Sequence, residues 1–362
     1  MKHATLCGAA MLATALTTPA VAHEDGSDGP HASGHAPIGV MADHRHKQGE
    51  WMLSYRFMTM DMSGNRDGTN PINAQTIATS VPNRFFGNPM QPPTLRVVPT
   101  QMTMDMHMVG GMYGLSDRVT LMAMTHYLSN DMDHLTFMGG MGTMIRGGFT
   151  TQSEGFGDSS VAAIIGLDDG TRPERQINLN VGLSIPTGSN EETDQILTPM
   201  GGTPSPRLPY PMQLGTGTWD LKSAVTAFDR RGRIGFGAQA ATRLPLGNNE
   251  EGYKRGSRIE GTAWLSYEPD YWVSFSTRLK AVTQGDISGM DPAIMAPVQT
   301  ADPDNFGGDT VALLFGVNLA GQTGALKGHR LAIEYGVPLH RDLNGPQLET
   351  DSALTLGWQT AF

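Results

Sequence analysis

The stretch MTMDMHMVG puts methionine at every second position: Met102, Met104, Met106 and Met108. A shorter copy supplies Met58, Met60 and Met62, and RVTLMAMTHY adds Met122, Met124 and His126. Thioether sulfur is a soft, uncharged ligand that suits Cu(I) and, by the same softness, Ag(I). On an extended chain, period-two spacing stacks sulfurs on one face about 6.5–7 Å apart, from a rise of about 3.3 Å per residue. One strand cannot close a metal site, but two neighbours about 4.8 Å apart can. A ladder of weak sites suits passage of an ion, which needs easy entry and easy exit. The competing reading is that methionine is an adaptable apolar filler. Sixteen of the 23 methionines lie between Met52 and Met144, so either reading concerns one sector of the molecule.

A second set of soft-to-borderline ligands precedes the ladders. His23, His31, His35, His44 and His46 lie within 24 residues, among Glu24, Asp25, Asp28 and Asp43. A short His-rich tract reads as metal binding. Gly, Ser, Pro and Asp dominate 23–48, which predicts a disordered segment; its place before the strands predicts a periplasmic one. His23 at a free N-terminus would offer an amine beside its imidazole for Cu(II) or Zn(II). The competing reading is a solvated tail. Methionine and histidine together make copper, bound or transported, the cofactor-like ion to test; no other cofactor is implied.

The elements that position these residues are legible from the two ends of the chain. Residues 1–22 read as a secretory signal peptide: Lys2, an apolar run, then Ala20-Val21-Ala22. Cys7 is the sole cysteine, so a mature chain has neither disulfides nor thiolate metal sites. Removing Lys2 takes the net charge from -10 to about -11, which disfavours nucleic acid as a partner. The C-terminus, SALTLGWQTAF, alternates Leu354, Leu356 and Trp358 toward a terminal Phe362. That ending resembles the C-terminal signature of bacterial outer-membrane β-barrels. It implies outer-membrane lipid and, through Phe362, the barrel-assembly machinery as partners.

Segments of alternating polarity recur. QINLNVGLSI sets Ile177, Leu179, Val181, Leu183 and Ile185 against Asn178, Asn180 and Ser184, and YWVSFSTRLKA sets Val273, Phe275 and Leu279 against Arg278 and Lys280. A membrane barrel strand needs about 9–11 residues of this kind. Twelve strands are predicted, at 49–62, 96–112, 117–129, 156–168, 175–187, 217–229, 231–245, 256–268, 270–284, 308–320, 328–340 and 351–362. Connections alternate short and long, with 63–95, 130–155, 188–216 and 285–307 long. The predicted fold is an all-β, antiparallel outer-membrane β-barrel over 49–362; a soluble β-sandwich is the alternative. In WMLSYRFMTMDM, Met58, Met60 and Met62 share a face with Arg56, opposite Trp51, Leu53, Tyr55 and Phe57, which points the methionines into a lumen. Met122, Met124 and His126 likewise travel with Arg118 and Thr120. For 102–108 the faces conflict, because Thr103, Asp105 and His107 oppose the methionines. An inward ladder there is the expectation if neighbouring strands keep register.

Four stretches in order, YGLSDRVTL (113–121), EGFGDSSVAAIIGL (154–167), VGLSIPTGS (181–189) and LGTGTWDLKSAV (214–225), resemble the outer-membrane family named for meta-pathway phenol degradation. The resemblance implies a barrel that passes or binds small molecules, with aromatic or hydrocarbon solutes suggested by the family name. The methionine and histidine load departs from that pattern.

No enzyme is expected. His126 and Ser129 are three apart, so on a strand they face opposite sides, and no G-x-S-x-G elbow is present. Three functions stay open. The first is a channel for small solutes that handles copper through the Met/His sector. The second is a channel for hydrophobic or aromatic compounds. The third is a metal-sequestering outer-membrane protein plugged by the loops at 130–155 or 188–216.

Overall fold

The computed structural model describes residues 31–169, 172 and 174–362. The signal peptide expected at 1–22 and His23 lie outside them. The chain runs β1 (Trp51–Gly68), β2 (Asn70–Ile72), helix α1 (Ala74–Ser80), β3 (Val97–Ser116), β4 (Val119–Phe137), β5 (Ile145–Phe156), β6 (Ser159–Gly166) and β7 (Arg175–Ile185). It continues through β8 (Asp220–Arg231), β9 (Ile234–Pro245), β10 (Tyr253–Lys254), β11 (Arg258–Asp270), β12 (Val273–Gln284), β13 (Ser288–Gly289), β14 (Gly308–Ala320) and β15 (His329–Ala361).

Alternation decides the fold. In β1 Trp51, Leu53 and Tyr55 are exposed while Met52 and Arg56 are buried. The same rule places Phe275 and Leu279 outside and Ser274, Ser276 and Arg278 inside along β12. Sequential long strands pair antiparallel, β5 and β6 lie end to end beside β4, and β15 pairs with both β14 and β1, so the sheet closes. Eleven strands form the ring, with β2 and β5 off it. Residues 330–343 of β15 pair with β14 and 343–361 with β1. The chain reverses between these arms at Gly345, whose φ of +67° suits glycine. Arg330 Nη1 donates to Gln359 Oε1 at 2.7 Å and Arg341 Nη2 to the Thr350 carbonyl at 2.6 Å across the two arms. β15 therefore supplies two crossings, which brings the barrel to the twelve expected. Closure leaves the ring of eleven strands without a free edge.

The two ends differ. At one end short turns join the strands, and the C-terminus is pinned by reciprocal Trp51–Phe362 backbone bonds of 2.9 Å. Exposed Trp51, Tyr267, Tyr271 and Trp272 form an aromatic fringe there, as at a bilayer interface. At the other end the long connections fold into a cap with its own core, in which Phe85, Tyr210, Tyr253, Ile287, Ile294 and Val298 are buried together. Arg96, fully buried, ties this cap down: its guanidinium donates to the carbonyls of Ala78, Met138, Gly139, Met141 and Gly142.

Two expectations need correction. The connection predicted at 130–155 is mostly strand, because β4 runs on to Phe137 and β5 occupies 145–156. Met132 and His134 are accordingly buried strand residues, and Met138, Met141 and Met144 lie at or near its tip. The segment expected to be disordered over 23–48 is, from His31 on, packed inside the barrel, with Ala32, Ala36, Ile38, Val40 and Ala42 buried. The physical reason is the apolar run APIGV at 36–40, which finds a lumen to fill.

Candidate functional site

The methionines of β1, β3 and β4 face the lumen. Across the β1–β3 ladder, Met58 stands opposite Met106, Met60 opposite Met104, Met62 opposite Met102, and Arg56 opposite Met108. Directly opposed residues of an antiparallel pair share a face, so the inward orientation expected for 102–108 holds. β4 continues the row, with His126 opposite Met108, Met122 opposite Met112 and Met132 opposite Met102. Met124 lies beside it, opposite Gly110. Asp105 and His107 turn outward, where His107 Nδ1 meets the Tyr55 hydroxyl at 2.8 Å. Ser129, opposite Asp105, faces away from His126 as its spacing requires.

This wall has three tiers. At the capped end Met102 and Met132 are buried against Leu208 and Met212 of the 188–216 connection, with Met62 and Met104 beside them. At the short-turn end Met52, Met112 and Met122 pack on Ala42. Those two tiers are packing, save for Met122, which also borders open lumen. Between them Met58, Met60, Met106, Met108 and Met124 are only half-buried; Met124 borders a cavity in the lumen, and the Met60 sulfur accepts from the Thr350 hydroxyl at 3.7 Å.

On the far side the lumen is cationic. Lys222 on β8 stands opposite Arg243 on β9, which stands opposite Arg258 on β11. Like charges placed side by side cost stability. Arg243 is partly offset by Asp220 at 2.5 Å and Asp158 at 3.9 Å, and Arg258 by Glu260 at 3.1 Å. A cavity of about 420 Å³ opens onto this row and onto Arg255, and is closed by Met41, Met122 and Met124. It is therefore apolar and polarizable on one side, and positive on the other.

Residues 31–50 cross the lumen below this cavity as a plug. Its backbone is held from many sides. The Gly39 amide donates to Glu334 Oε2 at 3.2 Å, and the carbonyls of Ala36, Met41 and Asp43 accept from Arg330, Gln239 and Asn178. The Ser33 and His46 amides bond Glu268 and Thr120. Arg45 pairs bidentately with Asp168, at 2.7 and 3.0 Å. Burial alone would push the Asp168 carboxyl up. Arg45 and the Ile177 amide outweigh it and hold it at about 2.

Of the histidines predicted as ligands, His31 is spoken for by Glu268 at 2.6 Å. His35, His44 and Asp43 gather, with donor atoms within 4.8 Å of one another, and the His46 ring lies 5.0 Å from that of His44. Burial first, then neighbouring His44 and Arg330, hold His35 well below its ordinary value, so its ring is neutral at pH 7. These histidines line a vestibule of about 1200 Å³ at the short-turn end. They do not join the methionine wall. The sequence reading passed over Lys222, Arg243, Arg255 and Arg258. The signal was available in LKSAV and ATRLP, where a cation sits on the polar face of an alternating strand.

No family model matches the chain, and no curated protein does. Solved structures do. The COG4313 outer membrane channel from Pseudomonas putida F1 superposes with a TM-score of 0.57 at 13% identity, covering 90% of this chain and all of that one (100%). The likeness is one of fold. The P. putida toluene transporter TodX gives 0.44 at 8% identity over 92% and 94% of the two chains. A Pseudomonas aeruginosa FadL homologue gives 0.40 at 9% over 86% and 89%.

Proposed function

We propose that this protein is an outer-membrane channel for small solutes, and that its solutes are aromatic or apolar molecules carrying a negative charge. One observation carries the solute class: a cavity inside the barrel with thioethers on one side and the row Lys222, Arg243, Arg258 on the other. Sulfur makes favourable contacts with aromatic rings. Guanidinium groups take carboxylates bidentately and stack on ring faces. The volume of about 420 Å³ is ample for one ring with water, since about 150 Å³ holds benzene. The fold match to an outer membrane channel supports the channel role. The likeness of four motifs to the phenol-degradation family agrees with an aromatic solute. In this reading the short turns and the plug face the periplasm and the cap faces out, the usual barrel arrangement.

The test is reversal potential and benzoate block of the purified channel in planar bilayers. Anion preference and block by benzoate, both weakened in Lys222→Gln and Arg243→Gln, support the reading. Cation preference in the wild type sinks it.

A second reading keeps a soft metal as solute. Its support is the cross-strand pairing of Met58 with Met106 and Met60 with Met104 on the half-buried middle tier. The cationic row argues against a free cation passing the same cavity, since like charge repels across a low-dielectric lumen.

A further inference from the structure

The plug carries a cluster that the channel reading does not use. Asp43 Oδ1 lies 2.8 Å from His44 Nδ1, and Asp43 Oδ2 accepts from the Ala36 amide at 3.0 Å. A carboxylate oxygen this close to His44 Nδ1 lets the two atoms take one ion together in place of their hydrogen bond, leaving the other ring nitrogen outside the set. That other nitrogen, His44 Nε2, is buried and has no hydrogen-bond partner, and the His44 side chain is 8% exposed. His35 approaches edge-on, its ring centroid 4.4 Å from that of His44, and its Nδ1 is also without a hydrogen bond. Buried unsatisfied nitrogens are costly and need a reason.

We propose that His35, Asp43 and His44 form a binding site for one divalent transition-metal ion of the Zn(II)/Cu(II) class, which clamps the plug. Two imidazoles and a carboxylate suit these ions. Bonds of about 2.0–2.2 Å bring tetrahedral donors to about 3.4 Å apart. The present spacing, within 4.8 Å, closes to that with a shift of about an ångström. Such a set is closed where its positive neighbour Arg330 is already engaged by Gln359, Asn318 and the Ala36 carbonyl. The ion would tie residue 35 to residues 43 and 44. These are the two feet of the loop whose tip, Gly39 to Met41, forms the floor of the lumen cavity. The cluster opens to the vestibule, so the ion enters from the short-turn end.

The experiment uses the chain from residue 23 on, folded in detergent, with His23→Ala and His31→Ala, so that of the early histidines only His35, His44 and His46 remain. Zn(II) and Cu(II) binding is read by titration calorimetry, and plug order by amide hydrogen exchange over 36–42. The expected result is one ion per barrel and exchange slowed at least about tenfold, which is about 1.4 kcal/mol. Both effects should be lost in His44→Ala and in His35→Gln. Binding without slowed exchange overturns the clamp. Equal binding in the variants, or none in the parent, overturns the site. Neither readout depends on conduction, so the channel reading stands or falls separately.

Discussion

Arg278 and Glu334 reach each other across β14 inside the barrel. Arg278 Nε donates to Glu334 Oε1 at 3.1 Å, and the second carboxylate oxygen takes the Gly39 amide of the plug at 3.2 Å. Wall and plug thus share one buried carboxylate. Breaking a buried ion pair from one side costs about 3–5 kcal/mol, which makes this contact a fixed point of the lumen. It also explains the glycine. A Cβ at position 39 would lie 2.3 Å from Arg278 Nη2 and 2.9 Å from Glu334 Oε1.

Gly39→Ala should therefore lift the plug tip off the wall while leaving the barrel intact. Overpacking of this kind costs about 1–3 kcal/mol, charged here to the plug. Single-channel conductance should rise above wild type, with unchanged heat-modifiable mobility of the folded barrel on a gel. Conductance equal to wild type would mean that the plug does not limit the pore.

Among the described residues Arg96 holds the cap through five carbonyls and no carboxylate. Each hydrogen bond from a charged donor is worth about 1.5–3 kcal/mol, non-additively. Arg96→Leu should free the 138–144 tip and helix α1 together. Protease cleavage in 138–144 should accelerate strongly while the strands stay protected. Cleavage at the wild-type rate would show that the core of Phe85, Tyr210 and Tyr253 suffices to hold the cap.

Strand existence and inward methionines were legible because period two is set by the pleat itself, and Arg56 marked the wet face. Register then carried that orientation from Met58 to Met106. The length of β4 was not legible. Beyond the bilayer both strand faces are polar, so NDMDH at 130–134 reads as a loop although it pairs with β5. The plug was masked by composition. Gly, Ser, Pro and Asp suggested disorder, whereas what ordered the segment was a concave lumen offering Asn178, Gln239, Glu268, Arg330 and Glu334, contributed from distant parts of the chain. For the same reason the pairing of His35 with His44, rather than with the methionines, could not be read from spacing.

The middle methionine tier separates filler from ligand. Leucine for methionine conserves volume and usually costs less than about 1.5 kcal/mol, but removes sulfur. A Met58→Leu, Met60→Leu, Met106→Leu variant should keep wild-type thermal stability. If the soft-metal reading holds, it should lose Ag(I) ions that the parent binds. Identical Ag(I) stoichiometry in parent and variant would leave these side chains as lumen lining for apolar solutes.

The Arg45–Asp168 pair predicts how the plug answers to acid. Asp168 titrates at about 2 in the folded protein, against 3.8 ordinarily, so folding favours its charged form. A depressed carboxylate stabilises the fold fully above its ordinary value and loses that contribution as pH falls through its folded one. The tether should hold at pH 5 and above and weaken between about pH 4 and pH 2. Amide exchange over 45–50 should quicken in that window in wild type. Asp168→Asn should show the acid behaviour already at neutral pH, because its amide cannot form the bidentate charged pair with Arg45. If exchange in Asp168→Asn matches wild type at pH 7, the tether is carried instead by the His46 amide on Thr120, and Asp168 serves only its own turn.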